Sequence, residues 1–292
     1  MTDRLRPLWN FEDLDACEDR FRSQLAHEKT AAGRAEVVTQ LARIHVFKNE
    51  FDAAEQLLTE AETCAGDDVV ATCRVHLERG RKLRLEGDAG AALPLFEYAF
   101  TVAREAGEDF LAVDAAHMAA LAAPDEKGLR AWTQRGLDVA TASQDAATRN
   151  WVATLYQNLG WLRLEAGNPS EAVTGLEQAV AARERDPSRP FEREVARCLL
   201  AKALRAAKRV EEAVGVAERC VAWAVEAAEA DGWFRDELAE AYATAGRLVD
   251  AAEQARLALQ QLDADRWVRP SAFAPRFLPN ANRLARLKQL AH

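Results

Sequence analysis

Small residues recur along this chain at one fixed interval, and that interval limits what it can fold into. In "LYQNLGWLRLEAGNPSEAVTGLEQA", residues 155–179, Gly160 is followed twelve positions later by Ala172 and seven after that by Ala179. The first small residue recurs as Ala42, Gly80, Gly160, Ala201 and Ala239. Twelve residues on stand Ala54, Ala92, Ala172, Ala213 and Ala251, and seven further on Ala61, Ala99, Ala179, Cys220 and Ala258. Midway between the last two sets lie Leu58, Phe96, Leu176, Ala217 and Ala255. Alanine fills 61 of 292 positions, so one match means nothing, but all fifteen slots hold a small residue. Two helices joined by a short turn can approach this closely only across Gly or Ala, with a larger residue filling the gap beside them. Gly87, Gly167 and Gly246 stand where a left-handed residue would end the first helix of a pair, with Asn49 and Lys208 in the same place elsewhere. Asn168-Pro169-Ser170 then restarts a helix, with Pro near its first position.

These residues resemble the tetratricopeptide repeat (TPR) family. Its pattern is an apolar residue followed by Gly or Ala, an aromatic or apolar residue three on, Ala twelve on, a large apolar residue, and another Ala. "NLGW...AGNPSEAVTGLEQA" is the closest copy, and "QLARIH...NEFDAAEQLLTEA" follows it. The resemblance implies an all-α fold, a right-handed α-solenoid of about six helix pairs with capping helices. The units start near residues 35, 73, 113, 153, 194 and 232. They are spaced 38 to 41 residues apart, against ~34 in the family, so each pair is about a turn longer. The third unit is degenerate, with "DFLAVDAAHMAALAA" followed by a stripe of Leu129, Trp132, Gly136 and Val139 after a shortened turn. Residues 1–34 are read as an N-terminal capping helix carrying Phe11, Leu14, Cys17, Phe21 and Leu25. Residues 35–264 form the repeat array, and 265–292 a basic capping segment with six Arg or Lys against one Asp.

Composition narrows the function. A net charge of -9 does not favour nucleic acid as a direct partner. No apolar run of ~18 residues predicts a membrane span, and MTDRLRPLWN lacks the apolar core of a signal peptide. Five scattered cysteines without a CxxC pair suit a reducing, cytoplasmic setting. No nucleophile arrangement, phosphate-binding Gly loop, metal-ligand spacing or HExxH points to an enzyme, a metal or a cofactor.

In the family, the first helix of each unit lines a concave groove. Carried over, the groove positions are Glu36, Thr39, Gln40 and Arg43, then Arg74, Leu77, Glu78, Arg81 and Arg84, then Asp114, His117, Met118 and Leu121. The later units add Thr154, Gln157, Asn158, Trp161 and Glu165, then Cys198, Lys202 and Arg205, and finally Trp233, Asp236, Glu237 and Glu240. Arg43, Arg74, Arg81 and Arg84 form a cluster suited to carboxylates, and the sixth unit is acidic. Asn158 falls where peptide-binding members hold ligand backbone, although a complete carboxylate clamp is absent. The candidate binding residues are therefore Arg43, Arg74, Arg81, Arg84, His117, Gln157, Asn158, Trp161, Lys202 and Arg205. The expected function is a non-catalytic scaffold or adaptor for a protein or peptide segment, with the Arg cluster suited to an acidic one. Two alternatives are a ligand-responsive regulator acting through another protein, and a self-associating scaffold or homo-oligomer.

Overall fold

All fifteen small-residue slots are sealed in the computed structural model of the protein, which describes residues 3–11, 13–229, 232–264 and 281–291. Its alanines and Cys220 in those slots are at most 1% exposed, and Gly80 and Gly160 are buried. Among the described residues every regular element is helical. A 3-10 turn at Arg6–Leu8 precedes α1 (Leu14–His27), α2 (Ala31–Phe47), α3 (Phe51–Ala65), α4 (Val69–Leu85) and α5 (Ala89–Glu105). There follow α6 (Asp109–Ala122), α7 (Glu126–Ala142), the short α8 (Ala146–Arg149) and α9 (Trp151–Glu165). The series ends with α10 (Pro169–Glu184), α11 (Pro190–Ala206), α12 (Val210–Glu226), α13 (Gly232–Thr244), α14 (Leu248–Ala264) and α15 (Ala281–Leu290). None of these helices is long and apolar enough to cross a membrane.

The chain divides into two units, Met1–Val152 and Ala153–His292. Each is an all-α, TPR-like stack in which successive helices pack on one another. In the first unit, α2 also touches α4, and α4 touches α6. In the second, α11 touches α13, and α15 closes on α13 and α14. These contacts between first helices make one face of each unit a ladder of α2, α4 and α6, or of α11 and α13.

Volume is balanced in four of the five pairs, the exception being Ala42 opposite Leu58. Gly80 stands where a Cβ would meet the Phe96 ring at 2.6 Å, and Gly160 where it would meet Leu176 Cγ at 2.5 Å. Ala201 and Ala239 occupy the equivalent place where the filler residues are the smaller Ala217 and Ala255. The turns behave alike: Asn49, Gly87, Gly167, Lys208 and Gly246 all take the left-handed conformation, which frees the chain to reverse after the first helix.

Two details depart from the sequence reading. The first helices begin at residues 31, 69, 109, 151 and 190, a few residues before the expected unit starts, because Thr30 and Asp68 cap the first two with side-chain oxygens. The N-terminal helix starts only at Leu14, where Asp13 accepts from Ala16 N. Phe11 lies outside it and stacks on Trp9 with ring centroids 4.9 Å apart. The stripe Leu129, Trp132, Gly136 and Val139 is buried on α7. Of the 265–292 segment, residues 265–280 and 292 lie outside the described residues.

Replacing Gly by Ala in an exposed helix gains up to ~1 kcal/mol in propensity, whereas overpacking costs ~1–3 kcal/mol. Gly160→Ala is thus expected to lower the melting temperature by several degrees. Gly90→Ala, on the exposed side of α5 with no atom nearer than 3.6 Å to the new Cβ, is expected to hold or raise it. Thermal melts of the two variants check the sign.

Candidate functional site

The inner ladder of the first unit carries buried charge held by helix-to-helix ion pairs. Arg81 on α4 is 6% exposed. Its Nε donates to Glu78 at 2.9 Å, and its Nη2 reaches Asp114 of α6 at 3.1 Å. Burial alone would loosen the Arg81 proton, but Glu78 and Asp114 reverse this and raise its pKa. Burial likewise opposes the Asp114 charge, yet Arg81 and Arg43 hold the carboxyl below its usual range. Removing one partner of such a pair leaves an uncompensated buried charge, a loss of about 3–5 kcal/mol. Arg81 therefore fixes α4 against α6. Arg74, two turns earlier, ties α4 to α2 and the N-terminal segment, donating to Asp3 and, at 3.1 Å, to Glu36.

Arg43 is placed differently, and Arg84 of α4 lies close enough to His117 of α6 to act on its charge. Arg43 is only loosely paired, 3.6 Å from Glu78 and 3.9 Å from Asp114. Its guanidinium lies over the rings of Trp9, Phe47 and Phe11 at 5.2, 5.5 and 5.8 Å. Burial, followed by Arg81 and then Arg6 against Glu78 and Asp114, lowers its pKa. His117 packs on Trp151 at 5.3 Å. Burial pushes it down to about 4; Asp114 opposes this, while Arg81, Arg84 and Arg43 add to it. At neutral pH His117 is an uncharged imidazole beside arginines, able to donate or accept a hydrogen bond.

Several groove positions carried over from the sequence are core instead. Thr39, Leu77 and Met118 are at most 2% exposed, because α2, α4 and α6 touch one another directly. Gln40 is buried too, accepting from Trp9 Nε1 at 3.0 Å. The N-terminal segment thus joins this face through Asp3 and Trp9, residues the repeat pattern did not reach. The signal available was the aromatic cluster Trp9, Phe11, Phe21 and Phe47, whose spacing fits no repeat slot.

In the second unit Gln157, Asn158 and Trp161 are partly exposed on α9. Lys202 of α11 sits 4.5 Å from the Trp161 ring; burial lowers its pKa, and Arg283 adds to this. Arg205 grips Glu237 of α13 bidentately at 2.8 and 3.2 Å. Asp236 is 1% exposed and tied to Arg283 of α15. Burial still pushes its carboxyl up to about 6. Cys73 and Cys220 are buried thiols, pushed up to about 12, and are not poised nucleophiles. No three His, Cys, Asp or Glu side chains among the described residues are grouped to hold a metal.

An unfolded histidine ionises near pH 6.5, and His117 folded only near 4. Between those values the unfolded chain binds a proton that the folded chain refuses, so stability is lost as pH falls, by at most about 1.4 kcal/mol per pH unit. His117→Phe is expected to lose less stability than the parent chain between pH 6.5 and 4.5. Urea unfolding at the two pH values measures the difference.

No protein-family model matches the chain, and no curated protein does. Solved structures do. It is similar to a signal transduction ATPase with numerous domains (STAND) from Pyrococcus horikoshii that has a tetratricopeptide repeat sensor, with a TM-score of 0.69 and 14% identity. That match covers 96% of this chain and 42% of the ATPase. A Podosopora anserina chain of nearly identical TPR-like repeats gives a TM-score of 0.51 at 22% identity, covering 66% of this chain and 96% of that one. BtubC from P. vanneervenii gives 0.55 at 18% identity, covering 74% and 89%.

Proposed function

We propose that this chain, whose fold is that of the tetratricopeptide-repeat proteins, is a non-catalytic scaffold that receives an extended protein segment on the inner faces of its helices. The observation that carries this reading is the division of labour among the arginines. Arg74 and Arg81 are committed to buried pairs that set the spacing of α2, α4 and α6. Arg43, only loosely paired, sits beside them with Arg84 and neutral His117 in surroundings enriched in positive charge. An acidic segment suits that place, since a guanidinium already ordered by neighbouring rings loses little freedom on gripping a carboxylate.

In the second unit Gln157, Asn158 and Trp161 would meet the partner's backbone and side chains. Lys202 is held beside them on the Trp161 ring, while Arg205 is engaged by Glu237. Binding would be non-covalent, by shape and charge, and its salt sensitivity would follow from the exposed part of the contact. The free cysteines suit a cytoplasmic protein.

Selection of a random peptide library on the immobilised chain tests this reading. Peptides enriched in Asp and Glu are expected, binding at least about tenfold more weakly to an Arg43→Gln, Arg84→Gln variant, or ~1.4 kcal/mol, with circular dichroism establishing that the variant is folded. Arg81 is left intact in that variant, because changing it would report on folding. Enrichment of uncharged or basic peptides, or affinity indifferent to both substitutions, would count against an acidic partner.

A further inference from the structure

The last helix rests on a surface whose chemistry is specific. α15 buries Leu287 completely against Ala239 of α13 and Ala255, Ala258 and Leu262 of α14, with Leu284 and Leu290 alongside. Its Arg283 lies 5.0 Å over the Trp233 ring and pairs with Asp236. One turn on, Arg286 Nε meets Glu240 at 3.2 Å. The floor is made of alanine, so a leucine can reach down to the helix backbones. The rim carries two carboxylates four residues apart, which match arginines three residues apart on a facing helix.

Asp236 is held up at about 6 even with Arg283 present, because burial, then Glu237 and Glu240 on its own helix, outweigh that arginine, and its Oδ1 has no hydrogen-bond partner. Arg205 of α11 is already taken up by Glu237. With α15 lifted, Asp236 and Glu240 would lose the arginines that pair with them from α15. The surface thus needs a cationic helix and can accept any helix with this pattern. α15 itself is a weak resident. Its ten residues fall short of the ~12–15 that a helix needs to persist alone, and it is held by one fully buried leucine, two partly buried ones and two ion pairs. It succeeds because its attachment makes docking intramolecular.

We propose that the α13–α14 face beneath α15 is a receptor site for a basic amphipathic helix of another protein, with the pattern Arg-Leu-x-Arg-Leu-x-x-Leu, and that α15 occupies it until displaced. This surface is separate from the arginine face of the first unit, and the two stand or fall independently.

The test uses the full chain carrying Arg283→Glu, Arg286→Glu and Leu287→Asp, which releases α15 without altering the receptor face. The probe is a fluorescent synthetic peptide, ANRLARLKQLAH, followed by anisotropy. At least about tenfold tighter binding to the released chain than to the parent is expected, and its loss when Asp236→Asn and Glu240→Gln are added. Circular dichroism establishes that each variant is folded; if the triple variant is not, the milder Arg283→Gln, Arg286→Gln pair replaces it with the same expected direction. A folded, released chain that binds the peptide no better than the parent overturns the proposal. So does binding that survives loss of both carboxylates, or a released chain that sediments as a dimer with the face filled by a second copy.

Discussion

The close approach of paired helices, backbone to backbone across Gly160, Ala172 and their equivalents, is the constraint from which the rest of the structure follows. At Gly160 the space a Cβ would need is taken by Leu176 Cγ, so the two helices cannot separate without opening a void or close without a clash. That fixes the distance and rotation of each pair. The faces the pairs present are then set as well: first helices against first helices, as in α2 on α4 and α11 on α13.

Where first helices meet, the sequence places charge in the contact. Arg81 between Glu78 and Asp114, Arg74 with Glu36 and Asp3, and Arg205 with Glu237 each join two elements. Buried ion pairs of this kind add little net stability over an apolar contact. They do make the inner face polar and ordered, which is what a surface needs to meet a polar segment without first rearranging. The cost is intolerance: an arginine in this role cannot be exchanged without stranding its carboxylates.

The repeat was legible because its cause is local. Small residues at 42, 54 and 61 and their copies, and turn residues such as Asn49 and Lys208, report backbone geometry that no distant contact can alter. The candidate site was legible only as a set of helix faces. Which arginine is buried depends on residues 33 or more positions away, Asp114 for Arg81 and Asp3 for Arg74, and helical periodicity cannot see such pairs. Thr39 and Leu77 were read as groove for the same reason; α2 and α4 are in direct contact and both side chains are buried. The role of α15 in meeting Asp236 and Glu240 was equally out of reach, because nothing local to α13 indicates what neutralises its acidic turn.

The most direct measurement of whether the inner face is the working surface is site-specific photo-crosslinking in the native cell. A benzophenone side chain would be placed in turn at His117 of α6, Asn158 of α9, and the exposed outer position Glu97 of α5. Adducts from His117, and separately from Asn158, that are absent from Glu97, with those from His117 mapping to an acidic segment, are the expected result. Adducts from Glu97 alone would contradict it and move the binding surface to the second helices of the repeats.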